Sequence, residues 1–219
     1  MIVQPRPLEQ LAFSPSWHNP ACLAVKRAMD IVGAFALLIL LFPVFPVLAV
    51  AVRLSSRGPA LYPWRVVGQF GRPFTGYKFR SMVANADMLR SELTELNEMK
   101  GPVFKMTHDP RVTKLGSWMR RYSLDELPQL YSVLRGDMSL VGPRPPLVTE
   151  YAEFTDFQKR KVAVRPGITC LWQVNGRNQV SDFDDWVRLD LEYIRTWSLS
   201  LDVKILLKTA REVLGATGK

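Results

Sequence analysis

Cysteine and histidine are scarce in this chain, with two of each in 219 residues. Cys22 and Cys170 lie far apart with no paired spacing, which argues against a disulfide framework or a cysteine zinc site and suits a reducing compartment. His18 and His108 are equally isolated, so neither a His-based metal centre nor a His-dependent nucleophile is expected. That leaves the chemistry of carboxylates and cations. Acid is short as well: 20 Asp plus Glu stand against 29 Lys plus Arg, a formal charge of +9. Between Ile31 and Ala86 there is no acid at all, while Arg53, Arg57, Arg65, Arg72, Lys78 and Arg80 fall inside that span. Such an excess favours anionic partners, whether nucleic acid, acidic lipid headgroups or phosphorylated small molecules. No basic helix or stacking motif of a nucleic-acid reader is present, so no nucleic-acid partner is expected.

Long apolar runs are absent except for one. Residues 31 to 52, IVGAFALLILLFPVFPVLAVAV, carry no charge and as a straight helix would extend roughly 33 Å, enough to cross a bilayer core. Hydropathy alone reads as a single span. Two features oppose it. Pro43 and Pro46 interrupt the run and predict a bend. Basic residues flank both ends, Lys26 and Arg27 before it and Arg53 and Arg57 after, so charge gives no orientation for a span. The expectation is a re-entrant hairpin that enters and leaves on the cytoplasmic face, led in by an interfacial helix over residues 20 to 30. Residues 1–20, with four prolines, are expected to form a flexible arm, residues 21–57 the interfacial and re-entrant membrane segment, and residues 58–219 a cytosolic catalytic domain.

The remainder predicts a mostly helical single domain with a few short strands, docked on a membrane. VVGQFGRPFTGYKFRSM, 66 to 82, has the Gly and Pro punctuation of a short hairpin. Helices are expected at 85 to 98, from near Asp125 to Arg135 with Gly136 as the stop, at 147 to 161, at 181 to 197 and at 201 to 214, with irregular chain at 165 to 178. GPRPP, 142 to 146, is a rigid turn. The last helix sets Val203, Leu206, Leu207, Ala210 and Leu214 apart from Lys204, Lys208 and Arg211. That pattern fits packing on a core or lying on an anionic membrane as an amphipathic interfacial helix.

YSLDELPQL, 122 to 130, places Asp125 and Glu126 side by side just after Arg120 and Arg121. The simplest account is a capping box, Ser123 with Glu126, opening a helix. Three Gly/Pro-rich stretches change the balance by offering cations without helical constraint: YKFRSM with Lys78 and Arg80, GPRP with Arg144, and VRPGITCLWQVNGRN with Arg165 and Arg177. Arginine forks match phosphate oxygens, so these stretches suit a phosphorylated ligand. Beside phosphates, one acid can attack phosphorus and the other can hold a hard cation such as Mg²⁺ or Mn²⁺.

SLDELPQL, YKFRSM, VGPRP and RPGITCLWQVNGR, in that order, resemble the monotopic phosphoglycosyl transferases, the bacterial sugar transferase family. The resemblance covers roughly residues 20 to 215. It implies transfer of a sugar 1-phosphate from a UDP-sugar to a polyprenyl (undecaprenyl) phosphate, with release of UMP, at the cytoplasmic face of the bacterial inner membrane. It also implies Mg²⁺ as cofactor and a role in the first membrane step of surface-glycan or exopolysaccharide assembly. Carried onto this sequence, Asp125 is the nucleophile, through a covalent phosphosugar intermediate, and Glu126 its metal-binding partner. Arg120 precedes the dyad; Lys78, Arg80, Arg144, Arg165, Gln173 and Arg177 surround the diphosphate and nucleotide; Asp190 and Tyr193 match a D-x-x-Y pattern. Many members place Ser-Pro at the membrane bend, where this chain has Phe42-Pro43 and then Pro46. The chain resembles a minimal catalytic form or a piece of a longer protein. The expected sugar is an unmodified hexose, and a homodimer is compatible with the resemblance. The alternative from another class is a non-catalytic membrane adaptor that binds anionic lipid through its basic surface.

Overall fold

The computed structural model describes residues 13–175 and 180–215. Helix α1, Pro20–Leu41, opens on Asn19, whose side chain accepts hydrogen bonds from the backbone N–H groups of Ala21 and Cys22. It runs unbroken through the expected interfacial stretch. Helix α2, Val44–Ser55, follows after Phe42 and Pro43, and the two are bent by 65°. Pro43 makes the break. Pro46 does not, because it occupies the third position of α2, where an N–H has no intrahelical acceptor to lose. No single described helix is long and apolar enough to cross a membrane; only the bent pair meets that measure. Its elbow lies outside the domain: Leu40 and Phe42 are each 72 % exposed and Val47 66 %.

Strands β1, Leu61–Val67, and β2, Pro73–Phe79, form the expected hairpin in antiparallel register, Trp64 opposite Gly76 and Tyr62 opposite Lys78. The 85 to 98 region is not one helix. It divides into α3, Ala86–Leu89, and a 3-10 turn, Ser91–Leu96. Helix α4, Lys114–Arg121, is capped by Thr113 Oγ1 on the Gly116 N–H. Helix α5, Gln129–Arg135, ends where Gly136 takes φ 92°, a left-handed stop that glycine adopts without strain. Strands β3, Ser139–Val141, and β4, Gly167–Thr169, pair in parallel. Between them, α6, Val148–Ala152, and α7, Asp156–Lys159, divide the single helix expected at 147 to 161. Thr155 and Gln158 form a capping box that starts a new helix there. Helix α8, Leu171–Val174, lies in the stretch expected to be irregular.

Helices α9, Phe183–Thr196, and α10, Leu199–Leu214, close the main core over Trp172, Trp186, Tyr193 and Trp197. Helix α10 packs inward through Asp202, Ile205 and Leu206, while Val203, Leu207 and Leu214 of the predicted stripe stay exposed. Residues 13–19, expected within a flexible arm, are fixed to α9. Ser14 Oγ donates to Trp197 O at 2.7 Å, Trp17 Nε1 donates to Ile194 O at 2.8 Å, and the Trp17 and Trp197 rings stack at 4.1 Å.

Helix α4 sits directly on the backbone after β2. A Cβ built at Gly116 would lie 1.9 Å from the Ser81 carbonyl oxygen. Gly116→Ala should therefore push α4 away from this segment, costing about 1–3 kcal/mol as overpacked sites do and lowering the melting temperature. An unchanged melting temperature would show that α4 can shift without loss.

Candidate active site

The acidic pair sits in a 3-10 turn, Leu124–Glu126, ahead of α5, rather than in a helix opened by a capping box. Ser123 makes no side-chain cap. Its backbone is left-handed, φ 53° and ψ 23°, a region that costs a non-glycine residue strain. This reversal takes the chain from α4 straight into the dyad. Pro128 then precedes α5 without leaving an N–H to satisfy. Asp125 and Glu126 are each only 8 % exposed, so two carboxylates have been taken out of water next to one another. A buried carboxylate needs cationic or hydrogen-bonding partners.

Those partners come from two strands. Lys78, near the end of β2, places Nζ 3.2 Å from Glu126 Oε1. Arg144, three residues beyond β3, places Nη1 3.1 Å from the same oxygen. Trp64, across the hairpin, underlies both cations, with Lys78 Nζ 3.7 Å and the Arg144 guanidinium 5.8 Å from its ring centroid. Arg120, on the last turn of α4, is held by Ser81 Oγ, to which its Nε donates at 2.9 Å, and feels the charge of Asp125. Burial pushes Arg120 below its ordinary range, with Asp125 opposing. Arg144 is half-buried, which lowers it, but Glu126, Cys170 and Asp125 together outweigh that cost and hold it above its usual value. Burial pushes the Lys78 ammonium down to about 8, against the pull of Glu126.

All five groups line one cavity of about 1170 Å³. This exceeds the roughly 300–1,000 Å³ of ordinary small-molecule sites, so a ligand of several parts fits. The sequence reading missed the loop that forms much of its wall, GPVFKMTHDPR, residues 101 to 111. Arg111 there is buried, held by both oxygens of Asp109 and stacked 4.9 Å over Phe104. The signal was available: a glycine, two prolines and two cations in one short stretch meet the criterion that picked out the other three. Trp64, Lys161 and Trp172 also line the cavity.

Other expected site residues lie elsewhere. Arg80 does not line this cavity. Its guanidinium is spent on carbonyls at the end of α2, those of Arg57, Ser56 at 2.7 Å and Gly58 at 3.4 Å. Arg165 is half-buried beside Arg27, Asp30 and Asp137, away from the dyad. Gln173 accepts the Cys170 thiol at 3.0 Å. Asp190 is fully buried against Lys161 Nζ at 2.7 Å, and burial raises its carboxyl above the ordinary range. Tyr193 of the same pattern donates to Asp202 Oδ1 at 2.8 Å inside the core. Arg177 lies outside the described residues. The described residues hold no group of three His, Cys, Asp or Glu side chains able to cage a metal. Two adjacent carboxylates do fit a Mg²⁺ that takes one or two protein oxygens and completes its shell with phosphate and water.

The lowered Lys78 makes a signed prediction. Its ammonium is charged below about 8 and is lost as pH rises through that value. An anionic diphosphate bound here would raise the pKa again, so binding of UDP, used as a probe, should take up protons above pH 8 and weaken with rising pH. Calorimetry in buffers of different ionisation enthalpy reads the uptake, and Lys78→Arg, charged throughout, should abolish it. Equal uptake in the variant would assign the proton elsewhere.

Known proteins complete the account. The family model described as bacterial sugar transferase matches residues 21–216. The galactosyl transferase CpsE of Streptococcus agalactiae serotype III is 45 % identical over 208 residues, 95 % of this chain and 46 % of the relative. The undecaprenyl-phosphate galactose phosphotransferase of Salmonella typhimurium is 43 % identical over 198 residues, 89 % of this chain and 41 % of the relative. The exopolysaccharide production protein ExoY of Sinorhizobium fredii is 39 % identical over 197 residues, 88 % and 87 %. The chain thus spans less than half the length of the first two. With the ordered motifs, the buried dyad and a match across nearly the whole sequence, the chain belongs to the bacterial sugar transferase family.

Proposed function

We propose that this protein moves a hexose 1-phosphate from a UDP-sugar to undecaprenyl phosphate through a covalent intermediate on Asp125, as an early membrane step of exopolysaccharide assembly. The observation that carries the reading is the buried Asp125–Glu126 pair facing a cavity with Lys78, Arg120 and Arg144. The relatives, an undecaprenyl-phosphate galactose phosphotransferase and an exopolysaccharide production protein, support the substrate classes.

In the first step an Asp125 oxygen forms a bond to the β-phosphorus of the donor. The bridging oxygen leaves with its electron pair on UMP. In the second, a phosphate oxygen of the lipid attacks the same phosphorus and the acyl-phosphate bond breaks, restoring the carboxylate. Lys78 and Arg144 hold Glu126 in the free site and can turn to the entering diphosphate. Glu126, released from them, is the acid that would hold Mg²⁺. The ion, when bound, neutralises diphosphate charge. Arg120 sets a positive charge beside Asp125, the nucleophile of this reading.

The exposed apolar elbow of α1 and α2 supports seating in the cytoplasmic leaflet as a re-entrant hairpin, and the exposed Val203, Leu207 and Leu214 of α10 suit the interface. An adaptor that only binds anionic lipid accounts for that surface and the charge but gives no reason to bury two acids beside these cations.

Asp125→Asn is nearly isosteric and should fold, yet lose all turnover. Wild type given UDP-galactose or UDP-glucose and Mg²⁺ without lipid should gain one hexose phosphate on the peptide containing Asp125, and EDTA should prevent it. An active Asp125→Asn enzyme would overturn the covalent mechanism, and full activity in EDTA would remove the metal from it. On a Cys22→Ser background, single cysteines replacing His18 and Arg57 should both be labelled from the cytoplasm. Periplasmic labelling of either would replace the hairpin with a span.

A further inference from the structure

The polar contacts of the bent helix pair are concentrated at a few places. On α1, Lys26 Nζ donates to Val141 O at 3.1 Å and pairs with Asp202 Oδ2 at 2.6 Å. One turn later, Asp30 Oδ1 accepts from both Ser139 Oγ and the Leu140 N–H, each at 2.9 Å. These contacts grip all of β3, the strand that leads through Gly142 and Pro143 to Arg144. Arg27 donates to Val133 O and Leu134 O at 2.8 and 2.9 Å, at the end of the helix that follows the dyad. On the other leg, the last carbonyls of α2 and its exit are gathered by Arg80, two residues beyond Lys78. The next residue, Ser81, holds Arg120.

Each leg therefore grips a different carrier of the cations around the dyad. Lys78 and Arg144 meet on one oxygen of Glu126, so their separation follows from where the two legs stand. The two legs are bent by 65°.

The second oxygen of Asp30, Oδ2, is buried without a hydrogen-bond partner, and the charge of the carboxylate is felt by Arg165. Arg80 Nε is likewise buried and unpartnered.

We infer that Asp30 and Arg80 are positioning residues through which the bent helix pair sets the spacing of Arg144 and Lys78 on Glu126, so that seating of the pair in a bilayer governs the rate of the first chemical step. This rests on the function proposed above. It adds that the membrane segment tunes the site as well as anchoring it.

The test uses the full chain in nanodiscs and follows the burst of UMP from UDP-sugar without lipid acceptor. Asp30→Ala and Arg80→Lys should each slow the burst roughly tenfold with KM changed less than about twofold, while Asp30→Asn, which keeps the acceptor oxygen, restores most of the rate. Asp30→Ala should be non-additive with Arg144→Lys, the double variant losing clearly less than the product of the two single losses. Additive losses that track a lowered melting temperature would make Asp30 a purely structural tie and overturn the inference. Should Asp30→Ala fail to fold, wild type answers the question. Its burst rate should differ at least about threefold between short-acyl and long-acyl phosphatidylcholine discs at equal melting temperature, since bilayer thickness acts on the hairpin. Equal rates would overturn the inference. Wild type that releases no UMP in any disc would instead count against the proposed function itself.

Discussion

The active site depends on one buried carboxylate oxygen, Glu126 Oε1, held between Lys78 and Arg144. Burying an acid is costly unless its charge is answered, and removing one partner from such a cluster typically costs about 3–5 kcal/mol because a charge is left stranded. The two partners arrive from separate sheets, one antiparallel and one parallel, and meet only if both are placed correctly. The arrangement is also poised to be exchanged: an incoming diphosphate offers the same cations more negative charge than one carboxylate does. In the function proposed above, Glu126 thus stands in for the diphosphate until it arrives.

The polar ties of α1 follow the same electrostatic logic. Lys26 and Asp30 are buried in a helix whose other charged residue, Arg27, also turns to the domain, donating to Val133 O and Leu134 O. The partners of Lys26 and Asp30 are an aspartate, a serine and strand backbone, so their charges face the domain while the other sides of α1 stay apolar.

Much of this was legible in the sequence because local rules governed it. Pro43 breaks the apolar run, Gly136 ends α5, and Gly68, Gly71 and Pro73 turn the hairpin. Residue type and order also pointed to the dyad, Lys78, Arg120 and Arg144, which line one cavity. What failed was decided by tertiary placement. A cation in a Gly/Pro-rich stretch looks the same whether it faces a ligand or the end of a helix, so Arg80 and Arg165 were assigned to a site they do not line. Ser123 offered no sign of its left-handed backbone, since the Ser–Glu spacing reads as a capping box. The break at Thr155 was readable in T-D-F-Q, but helical periodicity on both sides concealed it.

The bond from Ser14 to the Trp197 carbonyl, beside the stacking of Trp17 on Trp197, joins positions 183 residues apart in the chain. A ribosome adding about 5–20 residues per second needs roughly ten to forty seconds to cover that distance. For much of that interval α1 and α2 have been made while α9 and α10 have not. Until α10 follows, the buried Lys26 lacks Asp202, the acid it pairs with in the finished fold, so the polar face of α1 is completed last.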